Sequence, residues 1–328
     1  MALKFRRIYT QVTADILPGL LRKFGRKPFQ PVGRERPASD EWSMVVPFGY
    51  DVPKHDLHTA VICHIFHADL AEEIFFYLSR SQLQADIFIS TDTEEKAQKI
   101  RDAFDGWRSG TTIVRVVENR GRDIAPKLIT FSEVFDRYQV LLFLHSKRSG
   151  HYDFGDGWRE YLFKSLVGSP QTIRSIQEVF ALRPDVGMIA PPHYLALRQT
   201  ANLHWAFNFR KSRRLGWKMD VDIEENGILD FPAGSMFWAR PAAMKPMLRL
   251  KSTFSDFAEE PCKVDGTLAH CMERLFFYSC ESAGFCWVKV VDQDFATSEQ
   301  PRMIIGAPAQ IGDFITRHRF NLVGAHPH

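Results

Sequence analysis

Between Leu57 and His145 the chain carries four short apolar runs separated by three amphipathic ones, and this alternation restricts the fold more than any other feature of its 328 residues. "LHTAVICHIF", "ADIFIST", "TTIVRVV" and "VLLFLH" are rich in β-branched and aromatic residues and too short for buried helices, so they read as strands. "ADLAEEIFFYLSRSQ", "TEEKAQKIRDAFDGW" and "APKLITFSEVFDRY" repeat apolar residues at helical spacing; Thr93 can cap the second, and Pro126 stands in the first turn of the third. A β-α-β-α-β-α-β order needs crossover connections. It predicts a mostly parallel sheet flanked by helices, an α/β nucleotide-binding architecture.

In such sheets ligands bind beyond the carboxyl ends of the strands, and two basic clusters fall there. Asn119, Arg120, Gly121, Arg122 and Asp123 follow the third strand, while His145, Lys147 and Arg148 close the fourth. Gly121 allows a tight turn, the helix start after it offers unpaired N–H groups, and the arginines add forked donors. That chemistry fits a phosphorylated ligand. A lone cluster of this kind can equally be a capped helix with solvated arginines, and it is the second cluster that favours the ligand.

Several function classes are excluded. There is no G-x-x-x-x-G-K-[ST], no G-x-G-x-x-G after a strand and no G-x-S-x-G elbow, against a P-loop hydrolase, a dinucleotide dehydrogenase and an α/β-hydrolase. His58, His64 and His67 near Cys63 match no zinc spacing, and the five cysteines form no C-x-x-C pair, as expected in a reducing cytoplasm. Residues 1–40 hold nine Lys/Arg and three Asp/Glu, a charge of +6, which leaves −3 for the rest of a chain of net charge +3. Such local basicity suits an anionic membrane face, whereas nucleic acid is not an expected partner because no recognition element is readable.

Residues 1–45 read as a basic extension and linker. Leu3, Phe5, Ile8, Val12, Ile16, Leu20, Leu21 and Phe24 recur at helical spacing, interrupted by Pro18, so residues 1–27 have the pattern of an interfacial helix; a helix docked on the protein's own body would show the same spacing. No signal peptide or membrane span is readable, and the expected location is the cytoplasm, at the inner face of its membrane. Beyond Arg148 the reading is helical over 157–184, broken by Gly168 and Pro170, then a strand in "DVGMIAPPHY", an unclear stretch from Leu195 to Asp230, a strand over Met236–Ala239 and a helix after it. One helix over 264–284 and a last strand, "CWVKVV", follow.

Six motifs carry a resemblance: "NRGRDIAPKL", "LHSKRS", "GWREYLFKSLVGS", "VGMIAPP", "FPAGSMFWAR" and "DGTLAHCMERLF", in this order between Asp56 and Val291. Together they resemble the rhamnan synthesis protein F family of bacterial polysaccharide biosynthesis, itself similar to the GT-A type glycosyltransferases. The resemblance implies a GT-A-like catalytic domain over 46–300, with 46–150 as the donor half, 151–300 as the acceptor half and 301–328 as a tail. It implies transfer of a sugar, rhamnose being one candidate, from a nucleotide-diphosphate donor to a glycan or lipid-linked acceptor.

On this comparison Asn119 to Asp123 lie near the donor's base or ribose, and His145-Ser146-Lys147 take the place of the usual Asp-x-Asp metal pair. Lys147, with Arg148 or Arg122, would then stabilise the leaving diphosphate with no required metal; an ion recruited by Asp123, Glu118 or Asp92 is the less favoured arrangement. Gly234, Ser235, Trp238 and His270 would form the acceptor side. Asp265 would be the base, with Glu273 as second choice. The alternative is a non-catalytic glycan- or nucleotide-binding subunit that kept the fold.

Overall fold

A computed structural model describes residues 34–148, 155–199, 203–262 and 265–323. The amphipathic segment 1–27 therefore lies outside the described residues. In chain order the strands and helices are β1 (Arg34–Glu35), β2 (Ser43–Val46), β3 (Thr59–His64), α1 (Ala71–Arg80), β4 (Asp86–Thr91), α2 (Glu94–Phe104), β5 (Thr112–Val116) and α3 (Ile124–Ile129). Then come β6 (Val140–His145), α4 (Gly155–Val167), α5 (Pro170–Leu182), β7 (Val186–Ala190), α6 (Phe209–Lys218), β8 (Ile228–Leu229), β9 (Phe237–Ala239) and α7 (Pro241–Leu248). The last are α8 (Leu268–Glu273), α9 (Phe276–Ser282), β10 (Cys286–Asp292), β11 (Arg302–Ile304) and α10 (Ala309–His318).

Nine strands form one sheet in the order β11-β2-β10-β7-β9-β6-β3-β4-β5. All neighbours are parallel except β9, which runs antiparallel between β6 and β7. The expected α/β architecture, consistent with a GT-A-like fold, is present. The inner strands are buried along nearly their whole length, as apolar runs covered on both faces must be, and one continuous core joins them to the helices. Thr93 caps α2 by accepting the Lys96 N–H at 3.3 Å.

Four expectations need correction. The helix read over 125–138 is α3 plus a separate 3₁₀ turn, Ser132–Asp136, because the backbone leaves helical geometry at Phe131, whose ring is buried in the core. The helix read over 264–284 is α8 and α9, broken near Arg274 and Leu275, with Thr267 capping α8. The supposed tail begins with β11, an edge strand paired with β2, and continues into α10, whose Ile311, Phe314 and Ile315 join the core. Within the supposed linker, β1 pairs with β8, and Arg36 and Glu41 enter a buried ionic cluster with Asp230 and Lys289.

Candidate functional site at the carboxyl end of β6

A cleft of about 280 Å³ opens where β6 ends, lined by residues that include Arg122, Asp123, His145, Lys147, Arg148, Gly234, Ser235, Asp265, His270 and Glu273. Sequence separation is no barrier to this assembly. The antiparallel pairing of β9 with β6 places Phe237 beside Phe143, so the "AGS" turn just before β9 arrives at the end of β6. There His145 Nε2 donates to Gly234 O at 2.8 Å. Gly234 (φ +87°) sits so close to α4 that a Cβ would meet Leu162 Cδ1 at 2.9 Å and Trp158 Cζ2 at 3.0 Å. Only glycine fits there.

Under the cleft lies an ion pair absent from the sequence reading. Lys127, on the inner face of α3, is buried, and its Nζ lies 3.1 Å from Asp123 Oδ2 and 2.6 Å from Ser235 Oγ. Asp123 occupies the cap position of α3 but makes no capping bond. Burial opposes its ionisation, yet His145, Lys127 and a hydrogen bond from Ser235 hold its carboxyl well below the usual range. The expectation of open helix-start amides is thus replaced by a carboxylate: α3 has six residues, and Asp123 stands at its entrance.

The chemistry of the two basic clusters is also more differentiated than their sequences. Burial lowers the pKa of His145 to about 4, against the pull of Asp123, so the imidazole is neutral and acts as a donor to Gly234 O, not as a cation. Lys147 is half-buried, with Nζ 3.7 Å from the centroid of the Trp158 ring. Burial also lowers its pKa, partly opposed by Glu273 and Asp123. An incoming phosphate would offset that burial. Arg148 reaches the rim and pairs with Asp69.

Arg122 is exposed on the rim with a left-handed backbone (φ +55°), 3.8 Å from Glu260. Ser235, on the opposite wall, is left-handed too (φ +59°). Non-glycine residues in that region cost about 1–3 kcal/mol each and tend to persist where a site needs them. Asn119, Arg120 and Gly121 do not line the cleft. Arg120 instead contacts Glu118 at 3.1 Å, Glu259, and Phe257 O at 3.0 Å; Gly121 (φ +69°) lies under Phe257, where a Cβ would stand 2.5 Å from Cδ1. They shape the turn that presents Arg122.

On the other wall α8 contributes His270 and Glu273 one turn apart, on one face by their i, i+3 spacing. Thr267, not Asp265, is the cap of this helix, so Asp265 is left for the cleft, where it accepts from Asn208 Nδ2 at 2.7 Å with Arg274 Nη2 at 3.9 Å. Burial raises the Glu273 carboxyl above its usual range, against the opposing effect of Arg274, and Gly234 N–H points to its Oε1 at 3.3 Å. His270, its pKa lowered to about 4 by burial, bonds Thr267 Oγ1 through Nδ1 at 2.7 Å. Trp238 is corrected outright. It lies in the middle of the sheet, fully buried, and its Nε1 donates to Leu166 O at 3.1 Å, so it cannot touch an acceptor.

Sequence reasoning missed Lys127, Trp158 and Arg274. The i, i+4 spacing of Asp123 and Lys127 around an apolar segment was the one available signal for the first. It also missed a second cleft, about 850 Å³, at the ends of β3 and β4, lined in part by Phe66, His67, Asp69 and Lys96. The two clefts adjoin. Ser146 Oγ accepts the His67 N–H at 2.9 Å, and Arg148 of the first pairs with Asp69 of the second.

A resident divalent ion of the kind many GT-A-like folds use needs clustered acidic ligands. At the end of β6 a neutral histidine and a lysine stand where acidic ligands would be needed. Among the described residues the one group with ligand-like spacing is Glu41, His193 and Asp230, and there Lys289 Nζ contacts Glu41 and lies 2.7 Å from Asp230. A lysine already serves those carboxylates.

The sheet, its single inserted antiparallel strand and a cleft beyond the carboxyl ends define an α/β protein whose architecture is consistent with a GT-A-like fold. Residues 45–285 match the rhamnan synthesis protein F family, and the chain belongs to it. It is 32% identical over 243 residues to the uncharacterized protein WxcX of Xanthomonas campestris pv. campestris strain B100, and 31% identical to WxcX of a second strain of that pathovar. The matched segment covers 74% of this chain and 34% of each relative, so the chain spans about a third of their length. No helix among the described residues is long and apolar enough to cross a membrane.

Proposed function

We propose that this chain is a glycosyltransferase of surface-polysaccharide synthesis, moving a sugar from a nucleotide-diphosphate donor to a glycan or lipid-linked acceptor. The family's description as rhamnan synthesis makes rhamnose the first sugar to test. One observation carries the reading: Lys147 and Arg122 face a protonatable carboxylate, Glu273, across a single cleft at a strand's carboxyl end. Cations on one side and a base of raised pKa on the other are what displacement of a diphosphate by a hydroxyl needs.

In this mechanism the nucleotide lies in the larger cleft by Phe66 and Asp69 and its diphosphate reaches Lys147, with Arg122 and Arg148 at the rim. Glu273 accepts the acceptor's hydroxyl proton as that oxygen bonds to the anomeric carbon. The carbon–oxygen bond to the diphosphate breaks, and its electron pair leaves on the phosphate, where Lys147 and Arg122 neutralise it. Protein cations perform the task of a metal, so transfer is expected to survive excess EDTA. Asp265 orders the acceptor wall through Asn208.

The test is a thermal-shift panel of nucleoside diphosphates and nucleotide sugars, since a ligand that binds only the folded state stabilises it in proportion to occupancy. At least one nucleotide should raise the melting temperature. If none does and a glycan does, the protein is a non-catalytic glycan-binding subunit. Activity lost in EDTA and restored by Mg²⁺ would remove the metal-free mechanism alone.

A further inference from the structure

The helix α6 presents an outward face that the cleft does not use. Phe207, just before it, then Arg210, Lys211, Arg214, Trp217 and Lys218 are all exposed and follow one another at helical spacing, so three cations stand between two aromatic rings along one stripe and a fourth, Lys218, follows the second ring. Phe207 is 45% exposed and Trp217 55%. The helix contains no acidic residue. Among the described residues no carboxylate lies within ion-pair distance of any of the four cations. The nearby Asp222 is engaged elsewhere, at 3.2 Å from Arg213 and 3.0 Å from Trp217 Nε1. That bond satisfies the indole N–H and leaves the ring on the surface.

We propose that this face docks on an anionic lipid bilayer. Charge complementarity selects the partner, because unpaired lysines and arginines near a membrane are drawn to acidic headgroups. The rings select a bilayer over a soluble polyanion: they lie at the two ends of a convex ridge roughly 15 Å long, placed to enter the headgroup boundary as interfacial aromatics do. The same helix holds the cleft. Asn208 donates to Asp265 at 2.7 Å, and Lys211 Nζ donates to Gly266 O at 3.3 Å. Docking would thus set the acceptor wall at the lipid surface, although the lipid contact itself does not depend on glycosyl transfer.

The experiment is flotation of the full chain with vesicles of phosphatidylcholine alone or mixed with phosphatidylglycerol. The protein should float with the mixed vesicles only. At about fivefold per cation, the variant R210Q/K211Q/R214Q/K218Q should lower that partition by roughly 600-fold. Because residues 1–27 are basic as well, the ratio of the two partitions, and not flotation as such, reads the contribution of α6. A second measurement stands even where the fourfold variant fails to fold. Bilayers with brominated acyl chains should quench tryptophan fluorescence in the native protein and not in Trp217→Phe, since Trp217 is the only exposed tryptophan among the described residues. Undiminished partition of the fourfold variant, equal flotation with neutral vesicles, or unchanged quenching in Trp217→Phe would each overturn the proposal. Retention on an acidic polysaccharide without flotation would replace the bilayer by a glycan.

Discussion

Lys127 and Asp123 form a 3.1 Å ion pair under the cleft, and Lys127 is so enclosed that its side chain is 2% exposed. Its ammonium also lies 5.3 Å from the centroids of Phe237 and Phe276. Burial lowers its pKa while Asp123 supports its charge, so each group depends on the other. The pair joins α3 to the turn before β9 through Ser235, and it therefore fixes where both walls of the cleft stand.

Removing one partner leaves an uncompensated buried charge. Lys127→Ala is expected to destabilise the fold by about 3–5 kcal/mol, measured as a drop in the denaturant midpoint. Lys127→Met, similar in volume, should do much the same, because the stranded Asp123 carboxylate and not the cavity sets the cost. A loss below about 1 kcal/mol in both would show that Asp123 finds another partner.

Glu273→Gln should retain donor binding and reduce transfer by on the order of a hundredfold or more, as removal of a general base does. In the native protein the acid limb of the transfer rate should sit above the ordinary carboxylate range, because the Glu273 carboxyl is raised and must be ionised to act. Asp265→Asn serves as the comparison. If it abolishes that limb and Glu273→Gln does not, the base is Asp265.

Lys147→Ala and Arg122→Ala should each weaken nucleotide-diphosphate binding by about ten- to a hundredfold, the effect of removing one charge-assisted hydrogen bond. Calorimetric titration reads this directly. Arg120→Ala is the contrast, since Arg120 is turned toward Phe257 O and Glu259 and its loss should leave affinity within a few fold. Equal losses in all three would mean that the cluster acts through general charge.

Stability should fall as pH drops from about 6.5 toward 4. His64 is buried beside Ser90 Oγ at 3.0 Å, and burial lowers its pKa from 6.5 to about 4. In that window the unfolded chain binds a proton that the folded chain refuses, so acid favours unfolding, with full stability above the upper value. The shift corresponds to on the order of 3 kcal/mol for His64. His145 and His270, lowered to about 4 as well, act with the same sign. Urea midpoints measured across this range should show the slope, and His64→Asn should flatten it.

The sequence by itself determined the strand and helix alternation, the parallel direction of β3, β4, β5 and β6, and the presence of Arg122 and Lys147 at carboxyl ends. Those features depend on periodicity of two or 3.6 residues and on the handed crossover, which local side chains dictate. Tertiary structure alone decided which distant segments share the cleft. β9 could have been an edge strand; because it inserts between β6 and β7, Gly234 meets His145 while Trp238, three residues past Ser235, disappears into the core. Tertiary structure also decided charge: His145 is neutral, the Glu273 carboxyl is raised and Asp123 stays ionised, although nothing in their neighbours along the chain distinguishes them. Periodicity tells which face a residue takes but not what packs against it, and desolvation and paired charge, which set those states, exist only once the distant walls have met.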